Sequence, residues 1–571
     1  MVVQVQSFMQ RALGRAPVVP SGLSEPPELS GGLPVVGHTV EFVRSAIDLL
    51  TRAQRELGEI AAIRVAGRRM VAVFGPEAHE AVFRAPDRVM NPQEAYKIMT
   101  PVFGEGMVYD APTDKMNEQL KMLLPALKDR RMRTYGETIV AEVEESIASW
   151  GDEGELDLVD YCRVLTNFTS SACLLGHEFR RGMTGEFAEV YHCLERGITP
   201  VAYINANLPL PSFIKRDRAR VRLVEMISEI VAQRRRTGER GEDFLQTMMD
   251  ATYQSGTPLS DHEITGMLLA AMFAGHHTSS VTTAWTIIEL LQNRAYLDDV
   301  LAELDGTFGE DGEVSFETLR SIPLTEYAVK ESLRLHPPLF MLVRVAKEDW
   351  SYKGYHIPAG TWMLLSPTVA QRMREVFADP MRFDPLRFAP PREEDKRDYA
   401  YIPFGGGRHK CMGNAFALLQ VKAILAILLR RFEFELVDRN IGEDFHGLVI
   451  GPTQPCRLRY RRRTIGAPRA PKVAVEAKNG GCPFHADGDA EARAVAQEPS
   501  KEAVATKRYE VKVDLDLCQG HAVCVGEAPE IFAVENDKVK VIDAFPPASL
   551  RAKAEAAAAY CPTHTIRIVE A

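Results

Sequence analysis

The sequence predicts a large, mainly α domain with small β-sheets, followed by a small α+β domain. Helical periodicity punctuated by Pro and Gly fills the chain to about Arg463. The texture then changes: between Ile465 and Lys507, 11 of 43 residues are Ala and no apolar stripe survives. Beyond that stretch, Tyr509 to Asp516 alternates like a strand, Pro547 to Ala559 reads as a helix, and Thr565 to Val569 reads as a closing strand. The expected division is residues 1–463, a linker over 464–507 and a second domain over 508–571. The linker is expected to be flexible because it cannot bury enough surface to offset its ordering entropy.

Composition narrows the class. Of 571 residues, 46% are hydrophobic and 26% charged, the balance of a globular protein with a sizeable core. Lys plus Arg number 68 against 78 Asp plus Glu, a net charge of −10. That excludes a non-specific nucleic-acid binder, which would carry a basic footprint. Nine cysteines are too sparse for a secreted disulfide scaffold, so they read as ligands or packing residues. Met1 to Pro20 mixes apolar residues with Gln and Arg. It falls short of the roughly 18 apolar residues of a spanning helix and lacks a secretory core, which predicts a cytoplasmic chain without a transmembrane anchor.

The elements of the large domain follow in order. Ser260 and Glu263 form a capping box that starts a helix running to about Leu291. Its interior reads Ala274-Gly275-His276-His277-Thr278-Ser279. Gly there costs about 1 kcal/mol against Ala, which suggests close approach of a ligand. Adjacent helix positions do not share a face, so the two histidines are not expected to chelate one metal easily. A second helix carries Tyr327 to Leu335 and must end before Pro337-Pro338. On it Glu331 and Arg334 stand three apart, close enough to pair. Near the domain's end, Gly405 to Gly407 allow a tight turn and leave Cys411 just before a helix over Asn414 to Leu429. Its N-terminal dipole and amides are expected to stabilise a thiolate, as an axial iron ligand must be.

The run Phe404-Gly405-Gly406-Gly407-Arg408-His409-Lys410-Cys411-Met412-Gly413 matches F-x-x-G-x-[RH]-x-C-x-G throughout. It resembles the haem-binding signature of cytochrome P450 monooxygenases. With Pro385-Leu386-Arg387-Phe388, the pair Glu331 and Arg334 looks like that family's Glu-Arg-Arg structural triad. The resemblance spans about Leu33 to Tyr460. It implies haem b ligated by Cys411, with Phe404 and Gly407 in the turn. In most of the family an acid precedes the threonine of the long helix; here His277 replaces it, which implies proton relay by His277 and Thr278.

That substitution resembles one branch, the sterol 14α-demethylases. Tyr96 followed by Pro101-Val102-Phe103-Gly104-Glu105-Gly106-Met107-Val108-Tyr109-Asp110 is similar to the same branch's substrate-loop signature. The resemblance implies haem-propionate contacts from Tyr96, Tyr109, Arg344 and His409. It implies substrate contacts from Tyr96, Phe103, Met107, Ala274 and His276. Gln371 departs from the branch, which often has His before the arginine.

In the small domain, Cys518-Gln519-Gly520-His521-Ala522-Val523-Cys524 and a distant Cys561-Pro562 resemble single-cluster bacterial ferredoxins. Three thiolates, Cys518, Cys524 and Cys561, favour a [3Fe–4S] cluster. A [4Fe–4S] cluster would need His521 or a non-protein ligand at the fourth iron. The competing reading is zinc, since three Cys and one His are a common structural set. Cys482 in the linker has no assigned role, and Cys162, Cys173, Cys193 and Cys456 read as packing residues.

The resemblances together imply removal of a sterol's 14α-methyl group with molecular oxygen, through alcohol and aldehyde to formate. Electrons would come from NAD(P)H through a separate reductase, because no dinucleotide-binding fingerprint occupies a strand–helix context, and would pass through the fused ferredoxin. The alternatives are a hydroxylase of fatty acids or other hydrophobic compounds, a peroxide-driven haem enzyme, and a haem sensor with a zinc module.

Overall fold

Ser260 and Glu263 set the start of the longest helix in the computed structural model. Ser260 Oγ accepts from the Glu263 amide at 3.3 Å, and the Glu263 carboxylate accepts from the Ser260 amide at 2.9 Å. The structure describes residues 19–464 and 509–570, apart from 128, 177–179, 181–184, 200–201, 203–204, 242, 310–311, 446–447, 516–517, 519–522, 536–537 and 562–564. The N-terminal segment through residue 18, the expected linker from Ile465 with its Cys482, and His521 lie outside the described residues. The chain divides into two units, Met1–Val475 and Glu476–Ala571.

The helices that position the site in the first unit are α1 (Pro76–Arg84), α2 (Leu158–Leu175), α3 (Gly185–Arg196), α4 (Pro211–Thr237), α5 (Asp261–Gln292), α6 (Pro323–Leu335) and α7 (Asn414–Arg431). Helix α5 is apolar nearly all round, as a helix enclosed by others must be. It packs against α2, α4, α6 and α7. Its C-terminal half joins a core with α6 and α7 through Ile287, Ile288, Val329, Leu425 and Leu428. Its N-terminal half joins a second core with Phe103, Met107, Phe187, Tyr191, Leu268 and Met272. Helix α6 ends at Leu335, before Pro337, and α7 runs two residues past the expected Leu429.

One five-stranded sheet completes the frame: β1 (Ile60–Val65), β2 (Arg68–Val73), β3 (Met90–Asn91), β4 (Leu342–Ala346) and β5 (Trp362–Leu365), in the order β1-β2-β5-β4-β3. The β2–β5 pair is parallel and the others antiparallel. Cys162, Cys173 and Cys456 are buried and Cys193 partly so. No described helix is long and apolar enough to cross a membrane.

The second unit pairs β6 (Tyr509–Val513) with β9 (Ile566–Glu570) and β7 (Phe532–Glu535) with β8 (Lys538–Val541), both antiparallel. Its helix α8 (Arg551–Tyr560) follows a single 3₁₀ turn at Ala548–Leu550. Tyr509, Val511, Phe532 and Ile566 form its core together with Cys524 and Cys561. The β7–β8 hairpin is absent from the sequence reading, although Phe532 and Val534 alternate before Asn536-Asp537 and Val539 and Val541 after it.

Candidate active site

The turn before α7 is built by its glycines. Gly405 and Gly407 adopt positive φ, 70° and 67°. A Cβ on Gly407 would overlap the Phe83 carbonyl of α1, so the turn closes onto that helix only with glycine. The Cys411 amide donates to the Phe404 carbonyl at 2.9 Å, which fixes the cysteine at the end of the turn. Cys411 keeps accessible surface, yet dense protein elsewhere around it pushes its thiol up in pKa. The Gly413 amide and the Lys410 charge pull the other way and are outweighed. A thiol so placed ionises when a bound metal supplies the compensating charge. The donor set and the glycine cradle fit a haem at Cys411.

The residues expected at haem propionates gather from four segments. Tyr96 and Tyr109 stack, with centroids 5.0 Å apart. Burial, with Tyr96 adding to it, pushes Tyr109 up to about 12, while Arg344 opposes the rise. Arg344, on β4, is buried, donates to the Val343 carbonyl at 2.9 Å and lies over the Phe83 ring at 5.6 Å. His409 is differently engaged: its Nε2 lies 2.7 Å from an Asp87 carboxylate oxygen. Burial opposes ionisation of Asp87, but His409, Arg408 and Arg344 hold its carboxyl below its usual value.

The loop between Tyr96 and Asp110 is pinned by residues the sequence reading did not single out. Arg220 of α4 donates to the Val102 and Phe103 carbonyls, each at 3.1 Å. Buried Gln119 accepts from the Val108 amide at 2.8 Å and donates to the Gly106 carbonyl at 3.4 Å. Phe103 and Met107 are buried, and Phe103 meets Phe273 of α5 edge-on at 6.3 Å. Phe273 in turn meets the His277 ring at 5.8 Å.

On α5, Thr278 Oγ1 donates to the Ala274 carbonyl at 2.7 Å, and Ala274 is exposed. A Cβ on Gly275 would sit 3.7 Å from Phe416 and 3.9 Å from Ser170. On that side Gly275 packs against α7 and α2. His276 is 2% exposed, with Nδ1 2.7 Å from Glu195 Oε1 and Nε2 2.8 Å from the Arg163 carbonyl. This leaves it no free nitrogen for a substrate. His277 Nε2 stands 2.9 Å from the same Glu195 oxygen. The two imidazoles converge after all, because the carboxylate reaches them from α3. Burial opposes ionisation of Glu195, but His276, His277 and His192 hold its carboxyl well below the usual range. Nothing in the spacing of residues 195 and 276 signals this meeting.

Glu331, Arg334 and Arg387 are each 0% exposed. Arg334 donates to both Glu331 oxygens, at 2.7 and 2.9 Å, and Arg387 Nε donates to Glu331 Oε1 at 3.1 Å. Buried Gln371 locks this network to the Cys411 side: its amide donates to the Arg334 carbonyl at 3.0 Å and its oxygen accepts from Ile402 at 2.8 Å. In the second unit, Cys524 and Cys561 are buried and Cys518 is partly so. Burial, with the neighbouring Cys561 and Cys518, pushes the Cys524 thiol up to about 12. Three thiols, two in the apolar core and Cys518 packed against it, fit an iron–sulfur cluster, whose iron would supply the charge that lets them ionise.

Residues 26–457 match the family Cytochrome P450, and residues 511–568 match the family described as 4Fe-4S single cluster domain. The description of the second family names a four-iron cluster, the alternative left open beside the expected three-iron one, and gives the three-iron cluster no support. Sterol 14α-demethylase of Mycobacterium tuberculosis is 43% identical over 445 residues, 77% of this chain and 98% of its own. Obtusifoliol 14-alpha demethylase of Sorghum bicolor is 37% identical, covering 77% of this chain and 91% of its own. Lanosterol 14-alpha demethylase of Bos taurus is 34% identical, with 79% and 90% covered. Among solved structures, a cytochrome P450DA heme domain superposes with a TM-score of 0.70 at 21% identity, covering 78% of this chain and 99% of its own. A retinoic acid-bound cyanobacterial CYP120A1 gives 0.69 at 23% identity, with 77% and 100% covered; both likenesses concern the fold. A glycine turn that presents one cysteine, the matched family and relatives aligned along nearly their whole length agree: the chain belongs to the cytochrome P450 family, and is a monooxygenase carrying a single-cluster iron–sulfur ferredoxin domain at its C-terminal end.

Proposed function

We propose that this monooxygenase removes the 14α-methyl group of a sterol in three successive oxidations, to alcohol, to aldehyde and then with release of formate. The observation that carries the reading is the aromatic chain from the Tyr96–Asp110 loop to the long helix: Phe103 on Phe273, and Phe273 on His277. It ties an apolar wall, suited to a flat hydrophobic substrate, to the residue that stands in for the family's acid. The 43% identity to a mycobacterial sterol 14α-demethylase supports the same substrate class.

Cys411 would hold the haem, with Tyr96, Tyr109 and Arg344 nearest its charged edge. When bound, haem supplies the activation of dioxygen. The chain's own residues manage position and protons. Phe103 and Met107, immobilised by Arg220 and Gln119, set the wall against which the substrate lies. Thr278 holds a proton on Oγ1 against the Ala274 carbonyl, and His277 exchanges one between Nε2 and Glu195 Oε1. His192, 41% exposed on its side chain and 3.9 Å from the other Glu195 oxygen, gives that route an outlet to solvent. The fused iron–sulfur domain passes on electrons received from a separate NAD(P)H-dependent reductase. The segment between the domains keeps this donor at a raised effective concentration.

The test is turnover of the full chain with such a reductase on a panel of sterols and fatty acids, with products identified. Formate and a 14-demethylated sterol are expected, and Cys524→Ser should abolish turnover while keeping the haem spectrum. Hydroxylated fatty acids with no sterol product would overturn the substrate reading.

A further inference from the structure

The carboxylate on α3 and the two imidazoles on α5 form a cluster with metal-ligand chemistry. Glu195 Oε1 lies 2.7 Å from His276 Nδ1 and 2.9 Å from His277 Nε2, and the three ligand atoms lie within 4.8 Å of one another. Glu195 and His276 are buried, while the His277 side chain is 26% exposed.

A further observation points to a positive charge at this contact. His276 Nε2 faces the Arg163 carbonyl at 2.8 Å. A carbonyl only accepts, so Nε2 carries the hydrogen and Nδ1 is left to meet the carboxylate. In a neutral ring that Nδ1 bears a lone pair. A lone pair against a carboxylate oxygen is repulsive unless a proton is shared between them, as the 2.7 Å spacing allows, or a metal ion binds both atoms as they move apart. A backbone carbonyl fixing the far nitrogen is also what orients metal-bound histidines.

We propose that Glu195, His276 and His277 bind Zn²⁺ through one carboxylate oxygen, His276 Nδ1 and His277 Nε2. Two imidazoles and a carboxylate suit this borderline cation, which accepts three protein ligands and leaves its fourth position open. His192 lies at the solvent edge of the cluster, 3.9 Å from the other Glu195 oxygen. Zn²⁺ replaces the proton shared by His276 Nδ1 and Glu195, which leaves to solvent, and the proton between His277 Nε2 and Glu195, which moves to His277 Nδ1 or leaves likewise; nothing is oxidised or reduced. The cation then occupies the His277 nitrogen that exchanges protons with Glu195. Zinc is therefore a reversible inhibitor of turnover, an effect that rests on the proton route proposed above, whereas binding does not.

The test is equilibrium dialysis of the full-length protein, loaded with haem and cluster, against Zn²⁺. One zinc per chain is expected beyond the iron, with zinc-edge absorption showing nitrogen and oxygen neighbours at about 2.0–2.1 Å. Glu195→Gln and His277→Gln should each weaken uptake by about tenfold or more, by analogy with losses at metal shells. The carbon monoxide difference spectrum reports whether each variant is folded. Should Glu195→Gln lose its haem band, His277→Gln decides, because that side chain is partly exposed. Zinc on sulfur at about 2.3 Å, or undiminished uptake in the folded variants, would overturn the site. Inhibition reversed by a chelator supports the second half of the proposal. Zinc bound at this site without inhibition overturns that half and the His277 proton route together.

Discussion

Two buried charged clusters in the P450 unit differ in how they are closed. Glu331, Arg334 and Arg387 are wholly enclosed, and the hydrogen bonds of the acid are spent on its two partners and on the Asp384 amide at 2.9 Å. Two members come from a single turn of α6, so the pair is set by local geometry before the fold closes around it. Glu195, His276 and His277 meet only through tertiary packing of α3 on α5. One member keeps access to solvent, and one carboxylate oxygen serves both rings. An enclosed network whose acid is engaged by its partners offers no route to solvent; an open one with a shared acceptor does. Exposure, more than charge, separates the two clusters.

The largest expected effect lies in the closed cluster. Glu331→Ala leaves the fully buried Arg334 guanidinium without its carboxylate and Arg387 with Glu394 alone, at 2.9 Å, which should lower stability by about 3–5 kcal/mol. Urea denaturation and the haem content of purified protein measure it. A loss below about 1 kcal/mol would mean that the triad is not the scaffold its burial indicates. Next in size, Glu195→Gln removes a buried acceptor of charge-assisted hydrogen bonds and should cost about 2 kcal/mol by the same measurement.

The legibility of these two clusters from sequence differs for the same reason. Glu331 and Arg334 lie three residues apart on one helix face, and Arg387 falls in a run that resembles a known family, so the triad could be named in advance. The capping box at Ser260 and Glu263 and the stop before Pro337 were legible because capping and proline sterics are local. Glu195 was not legible: it lies 81 residues from His276, and no periodicity ties α3 to α5. Reading the two histidines by helix geometry alone predicted divergence, and the shared carboxylate reverses that. Gln119 and Arg220 were missed likewise, since their only signal is the backbone they hold.

Acid should weaken the open cluster by itself. The Glu195 carboxyl is held well below its usual value in the folded chain. Its contribution is then fully present above the unfolded value of about 4.3 and is lost as pH falls through the lower, folded value. The stability gap between the native chain and Glu195→Gln should therefore shrink as pH falls below about 4. A gap that widens on acidification would reverse the sign and remove the imidazoles as the cause.

The smallest effect on stability, and the sharpest on function, is expected from His277→Ala. The ring is about a quarter exposed, and its loss leaves Glu195 still bonded to His276 at 2.7 Å. One hydrogen bond and one edge contact with Phe273 disappear, a change of about 1 kcal/mol or less. Sterol binding should persist, because Phe103 and Met107 are held by Arg220 and Gln119 and not by this histidine. The proposed proton route should fail, because the Thr278 hydroxyl is turned to the Ala274 carbonyl and not to Glu195. NAD(P)H consumption with peroxide release but little product is the expected signature, and His277→Gln, which keeps a polar group but cannot take up a proton near neutral pH, should not rescue it. If His277→Ala keeps full coupling, the shared carboxylate is packing chemistry, and the distinction between the closed and the open cluster falls with it.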